Sequence, residues 1–443
     1  MIKSYVAAAA SVLVLTACSQ RSQTSEITES SAPVEVFRHD STPEFSVVYR
    51  IPAIASVKAG PHEGRIVALN DYRYCGSDIG FGRIDLYQSL SDDLGKTWTT
   101  PGHLRDSVGN PVAQGTGEGD FETSLQHPDA GFGDAAIVSD RETGKLLVMS
   151  VCGYTPFGKA TRENPNQVAR WYSSDGADTW TPFENITEDI YTLFDGKVPG
   201  NKVKSMFFGS GRLCQSSRIK VGDSYRVYGA ITGRTDGETC NWVLYSDDFG
   251  KTWAVLGDPM TPAVPTLGDE PKVEELPDGS VLIAARSLRG KRSYNVFTYS
   301  DPAKAEGSWG DFVITDCGTG ININACDGEI LIVPAVNDST GADCFVALQS
   351  FPFSEKREKV GLVWKEIPSA GPYSPAMFET WQGNFELTPL PSGYSTMVQL
   401  NDGSIGALYE EETHVSTRGS AYCGVFRRVT LDEITAGKYK AKK

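Results

Sequence analysis

Hydrophobic residues in this chain come in short bursts. From about Val36 onward, apolar runs such as Ile66 to Leu69, Ala135 to Val138, Leu146 to Met149, Tyr225 to Ile231 and Val281 to Ala285 are broken by Gly, Asp, Asn and Pro. Glu329 to Val333, Ser395 to Leu400 and Ile405 to Tyr409 continue the pattern. The runs are too short for ordinary helices and rich in β-branched and aromatic residues, so they read as strands. Asp278-Gly279, Asp327-Gly328 and Asp402-Gly403 sit between or beside them, where a tight hairpin needs positive backbone angles. No Pro/Ser-rich boundary divides the region, so one large all-β domain over 36–443 is expected.

A repeat refines that expectation. Ser91 to Trp98 and Ser246 to Trp253 share the frame S-x-D-x-G-x-T-W; Ser173 to Trp180 keeps it with Ala177 at the glycine position, and Ser300 to Trp309 is a more degraded candidate. Asp accepts backbone hydrogen bonds, Gly permits the turn and Trp lies on the adjoining strands, so the frame staples hairpins rather than binding ligand. Repeated antiparallel units of this kind point to blades around a central funnel, a six-bladed β-propeller, with seven blades or a double-layer sandwich as competitors.

The N-terminus differs in character. Lys3, an apolar run from Val6 to Leu15 and Leu15-Thr16-Ala17-Cys18 have the layout of an export signal over 1–17, too short for a comfortable membrane span. Residues 18–35, rich in Ser, Thr, Gln and Glu, read as a flexible tether. Eight cysteines besides Cys18 are too few in 443 residues for a disulfide scaffold, and the five histidines form no short ligand motif, so no metal is expected. A formal charge of -15 argues against a nucleic-acid partner.

Several segments carry more specific chemistry: Tyr49-Arg50-Ile51-Pro52, the stretch Asp71 to Gly80, Gly131-Phe132-Gly133-Asp134, Asp269 to Ser280, Ala285-Arg286, Ser392-Gly393-Tyr394-Ser395 and Leu408-Tyr409-Glu410. With the repeats, which would be its Asp boxes, they resemble the bacterial exo-α-sialidase (neuraminidase) family from about Val48 to Phe426. Cys18 after a small residue likewise resembles the bacterial lipoprotein signal, implying a lipid anchor to the membrane and a periplasmic or cell-surface location on the outer membrane.

Sialic acid carries a carboxylate on its anomeric carbon, and planar arginine forks meet carboxylates best. The resemblance implies that Arg50, Arg286 and Arg357 form that clamp. An attacking carboxylate would be repelled there, so Tyr394 is the implied nucleophile, with Glu270 as its base and Asp78 as general acid/base. Arg73 and Asp134 would contact the sugar or support the site, and Glu410 would orient Arg50. Asp269 stands where the family often has Asn. The implied function is a retaining exo-α-sialidase that acts, without a cofactor and as a monomer, on sialylated oligosaccharides, glycoproteins or glycolipids through a covalent sialyl-tyrosine. Trans-sialidase activity and a nonhydrolytic glycan-binding propeller are the alternatives.

Rivals exist at each position. Arg289 competes with Arg286, Asp71 with Asp78, Tyr373 with Tyr394, and Glu274 and Glu275 with Glu270. Met206 to Gly211 resembles a funnel loop of the family, and Gly371 to Leu390, with Phe378, Trp381 and Phe385, reads as an insertion that shapes the aglycon side or supports the outer wall.

Overall fold

The computed structural model describes Met1 and residues 30–38, 48–75, 77–116, 131–324, 326–416 and 419–442. The expected signal, Cys18 and most of the tether lie outside the described residues.

Six antiparallel sheets follow one another along the chain as the blades of a β-propeller. The innermost strands of blades 1, 2, 4, 5 and 6 are Val48–Ser56, Phe132–Ser139, Gly268–Glu275, Ile330–Asn337 and Ser392–Gln399. In blade 3, Ser205–Phe208 and Cys214–Val221 both pair with Ser224–Arg234. The short strand Gly211–Arg212 runs parallel to the inner strand of blade 2 and ties blades 2 and 3 together.

The ring closes with a strand from near the start of the chain. Val34–Phe37 pairs with Gly419–Val429 as the outer strand of blade 6, and Ser31 N donates to Arg428 O at 2.9 Å. The folded domain therefore begins before Val36, and the last residues of the expected tether belong to the propeller. Closing the ring removes sheet edges that would otherwise recruit other strands.

Each blade buries apolar residues against the next. Ala53, Leu69 and Leu86 of blade 1 meet Phe132, Ile137 and Trp171 of blade 2. Comparable clusters join blades 2 and 3, 3 and 4, 4 and 5, 5 and 6, and then Val398, Leu408 and Phe426 of blade 6 meet Ile54 and Ile66 of blade 1. The alternation of strand side chains lets both faces of a blade join such clusters, which explains the near-continuous apolar runs in the sequence.

The repeated frame occupies the turn between third and fourth strands in blades 1, 2 and 3. In each copy the serine Oγ accepts from the residue at the glycine position (Gly95, Ala177, Gly250), and the aspartate accepts the threonine N–H and Oγ–H. Ala177 takes φ 76°, a conformation that glycine reaches without strain. Ser300 to Trp309 lies at the matching turn of blade 4 but keeps only a local cap, Asp301 accepting from Ala303 N.

Asp278-Gly279 and Asp402-Gly403 are tight turns with φ near 90° at the glycines. Asp327-Gly328 is not. Asp327 is buried at the end of the channel, and a side chain on Gly328 would lie 1.8 Å from Ser350 O, so glycine is required there by close approach rather than by a turn. The segment from Gly371 to Leu390 supports the outer wall: Phe378 and Trp381 pack around Tyr294 of blade 4, and Gly383–Glu386 extends the sheet of blade 5.

Candidate active site

The inner strands deliver their first residues to one mouth of the channel. A cavity of ≈ 780 Å³ there is lined by Arg50, Arg73, Asp78, Asp134, Glu270, Arg286, Arg357 and Tyr394, among others. Bulges interrupt the ladders beside four of these residues, between Arg50 and Ala53, Gly133 and Ala136, Gly268 and Pro271, and Ser392 and Ser395. Bulges re-aim side chains at the rims of sheets, and here each turns a polar group into the funnel. Ile51 at φ 58° and Asp134 at φ 52° carry the local backbone cost.

At the floor, the Tyr394 hydroxyl donates to Glu270 Oε1 across 124 residues of sequence. The other Glu270 oxygen accepts from Arg286 Nη1 at 2.9 Å and Asp327 N at 3.1 Å. Burial, then the Glu270 charge, pushes the Tyr394 phenol well above its ordinary pKa against the pull of Arg286 and Arg357, so it rests neutral.

Glu410, fully buried in the strand next to that of Tyr394, organises two of these groups. Its Oε1 accepts from Arg50 Nε at 2.6 Å and Ile51 N at 2.9 Å, and its Oε2 accepts from Tyr394 N at 3.1 Å. Burial alone would raise its pKa, but Arg50 and these bonds hold it below the usual carboxylate range. Gly393 leaves room for it, since a side chain there would come within 2.7 Å of Oε2.

Arg50 and Arg357 stand over the Tyr394 ring, their guanidinium carbons 5.3 and 5.2 Å from its centre. Arg357 comes from a loop of blade 5, where its carbonyl accepts Ser392 N and pins the loop to the Tyr394 strand. No ion pair engages Arg357 among the described residues, whereas Arg286 is bound to Glu270 and lies 3.5 Å from Asp269. Three arginines from blades 1, 4 and 5 thus converge with charge to spare for an anion.

Asp78 lies on the opposite wall, its side chain 78% exposed in the open funnel, 2.5 Å from Arg73 Nη1. Desolvation by the wall pulls its pKa up, but Arg73 outweighs that, with smaller help from Arg50 and Arg357, and keeps the carboxyl low. Gly80, at φ 91°, lets this loop press on Pro156 of blade 2, where a Cβ would meet the Pro156 nitrogen at 2.4 Å. Arg73 also grips Asp71 at 2.8 Å and lies 3.6 Å from Asp134, so it holds the acids of this wall together. Burial, then Asp71, pushes Asp134 well above the normal carboxyl range.

The rivals fall away from the cavity. Arg289 is exposed on a loop. Asp71 is wholly buried between Arg73 and Asp134 N. Tyr373 donates to Pro368 O, Glu274 pairs with Arg212, and Glu275 accepts from Ser216 and Ser217. Phe207 and Ser210, from the expected funnel loop, do line the cavity. Missed in the sequence were Asp327, Lys272 and Phe157. Lys272 Nζ lies 2.8 Å from Asp327 Oδ2 beneath Glu270, and Phe157 meets Phe207 at the rim. No group of His, Cys, Asp and Glu suited to a metal occurs among the described residues, and no disulfide joins the eight described cysteines.

No protein-family model matches the chain. A sialidase of Micromonospora viridifaciens is 28% identical over 383 residues, 83% of this chain and 50% of the relative. The chain is a relative of the bacterial sialidases. It spans about half the length of that curated relative. The sialidase fold extends to solved structures: a Hadza microbial sialidase superposes with a TM-score of 0.61 at 23% identity, covering 87% of this chain and 66% of the other. A leech intramolecular trans-sialidase gives 0.65 at 17% identity, covering 92% and 71%.

Proposed function

We propose that this chain hydrolyses terminal α-linked sialic acids from glycoconjugates with net retention, through a covalent sialyl-tyrosine. The observation that carries the reading is the Tyr394–Glu270 hydrogen bond on the floor of a cavity into which three arginines converge. A neutral phenol can approach an anionic sugar that would repel a carboxylate, and a carboxylate already bonded to the phenol can take its proton at the moment of attack.

Arg50, Arg286 and Arg357 hold the substrate carboxylate. The Tyr394 oxygen bonds to the anomeric carbon as the glycosidic bond breaks; Glu270 takes the phenolic proton and Asp78 gives one to the leaving oxygen. Asp78 then removes a proton from water, the resulting hydroxide displaces Tyr394 from the anomeric carbon, and Glu270 returns the proton to the phenolate. Asp78 is held in its ionised form by Arg73 in the open funnel; a substrate carboxylate on the arginines offsets that field and favours the protonated form needed for the first step. Asp134, whose carboxyl is pushed above its ordinary range by burial and then by Asp71, suits hydrogen bonding to an amide of the sugar.

At the rim, Phe157 and Phe207 pack edge-on against each other, centroids 5.2 Å apart, rather than as facing walls for an acceptor sugar, which supports the hydrolytic reading over transfer to a second sugar. The leader and Cys18 support export and lipid anchoring at the periplasm or cell surface. Release of free sialic acid from an α-linked fluorogenic sialoside tests the activity: the native protein should turn over and a folded Tyr394→Phe variant should lose nearly all of its rate. No turnover by the folded native protein across pH and linkages overturns the reading.

A further inference from the structure

The inner strands that present Arg50, Asp134, Glu270 and Tyr394 at one mouth end at the other. There, residues from Ile54 to Ser56, Ile137 to Ser139, Arg212 to Gln215, Leu331 to Ile332 and Val398 to Gln399 enclose a second cavity of ≈ 360 Å³. Its walls mix aliphatic side chains with polar ones, and Lys58, Arg141 and Arg212 are among them.

Three cations face this rear cavity against one lining carboxylate, that of Glu274. Glu274 is already spent: it accepts from Arg212 at 2.6 Å, from the Cys214 thiol and from Glu275 N. Asp140, beside Arg141 in sequence, is occupied by Gln215 Nε2 at 2.7 Å and by the Thr143 turn. Lys58 Nζ has a neutral partner, Gln399 O at 2.9 Å, and no carboxylate among the described residues. The Nε atoms of Arg141 and Arg212 are buried with no hydrogen-bond partner. Burial, helped by the charges of Arg212 and Arg141, drags the Lys58 ammonium down to about 8, the mark of a cation held without a counterion.

Arg212 is held by Glu274 and lies 3.8 Å from Glu329, but Lys58 and Arg141 have no carboxylate partner among the described residues, Arg141 Nη2 reaching only Gln215 O at 3.4 Å. Cations left so in a half-closed pocket are costly, and an oxyanion that accepts charge-assisted hydrogen bonds from them relieves that cost. We propose that the rear mouth of the channel is a second ligand site that takes a small oxyanion, a phosphate or carboxylate group, on Lys58, Arg141 and Arg212. The site lies at the far ends of the strands that carry the sialidase chemistry and stands independently of it. In a protein of net charge -15, such a local positive pocket selects anions by its own field rather than by the surface as a whole.

Isothermal titration of the full chain with inorganic phosphate and, separately, acetate tests the site, in the native protein and in Lys58→Met/Arg141→Met. Both positions lie away from the catalytic cavity, so the variant's turnover and melting temperature report its integrity. The native protein should show a saturable component with at least one probe that weakens about tenfold or more in the variant, while any binding in the catalytic funnel persists. Lys58→Gln alone serves if the double variant does not fold. Absence of saturable binding by both probes, or binding that the variants leave unchanged, overturns the proposal.

Discussion

The Tyr394 hydroxyl and the Glu270 carboxylate are hydrogen-bonded, and each is fixed by its own set of partners: Glu410 holds the Tyr394 backbone, while Arg286 and Asp327 N hold the second Glu270 oxygen. The pair is therefore set before any substrate arrives. Glu270→Gln keeps the shape and removes the base. Its kcat/KM on an aryl sialoside should fall by roughly 10²–10⁴-fold, the usual range for a lost general base, with little change in melting temperature. A variant within a few-fold of native would remove Glu270 from the chemistry.

Asp78 makes a prediction about leaving groups. Its proton matters when the departing oxygen is a poor leaving group and little when it is an activated phenol. Asp78→Ala should therefore lose much more rate on a natural sialyl-lactose than on a nitrophenyl or umbelliferyl sialoside. Equal loss on both would contradict the acid role.

Asp269 supplies a pH signature. Burial, then the Glu270 charge, raises its pKa to about 7 against the pull of Arg286. Below that value the group is neutral. As pH rises through it, a second negative charge appears beside Arg286 and competes with the substrate carboxylate, so KM should climb. Asp269→Asn removes the titration, and its KM should stay flat over the same interval. A native KM that does not rise, or an Asn variant that rises equally, would contradict this role.

The turn motif predicts stability without activity. Asp248 accepts from Thr252 N at 2.9 Å and Thr252 Oγ1 at 2.7 Å, far from the funnel lining. Asp248→Ala should lower unfolding stability by about 1.5–3 kcal/mol, the range for hydrogen bonds to a charged group, with turnover unchanged. Urea denaturation alongside the sialoside assay separates the two.

Much of this was legible in the chain. Arg50, Asp78, Glu270, Arg286, Arg357 and Tyr394 meet at one cavity because inner-strand starts and adjacent loops of a propeller converge whatever their separation in sequence. Short apolar runs and the stapled turns carried the fold class. Other features depend on three-dimensional partners that local patterns do not record. Asp327-Gly328 has the letters of a hairpin turn, yet a buried lysine 55 residues away and the close approach of Ser350 O decide its place. The polar composition of 18–35 reads as tether, but Val34–Phe37 pairs with a strand almost 400 residues further on. Glu274 and Glu275 look as available as Glu270, and only the positions of Arg212, Ser216 and Ser217 show them to be engaged elsewhere.

The central claim is the bond from Tyr394 to the anomeric carbon. A 2,3-difluorinated sialic acid slows both steps and lets the glycosyl-enzyme accumulate, so mass spectrometry of the peptides after inactivation reads the nucleophile directly. The account predicts a sialyl adduct on the peptide that carries Tyr394, absent in Tyr394→Phe. An adduct on another residue, or turnover that inverts the anomeric configuration, would contradict it.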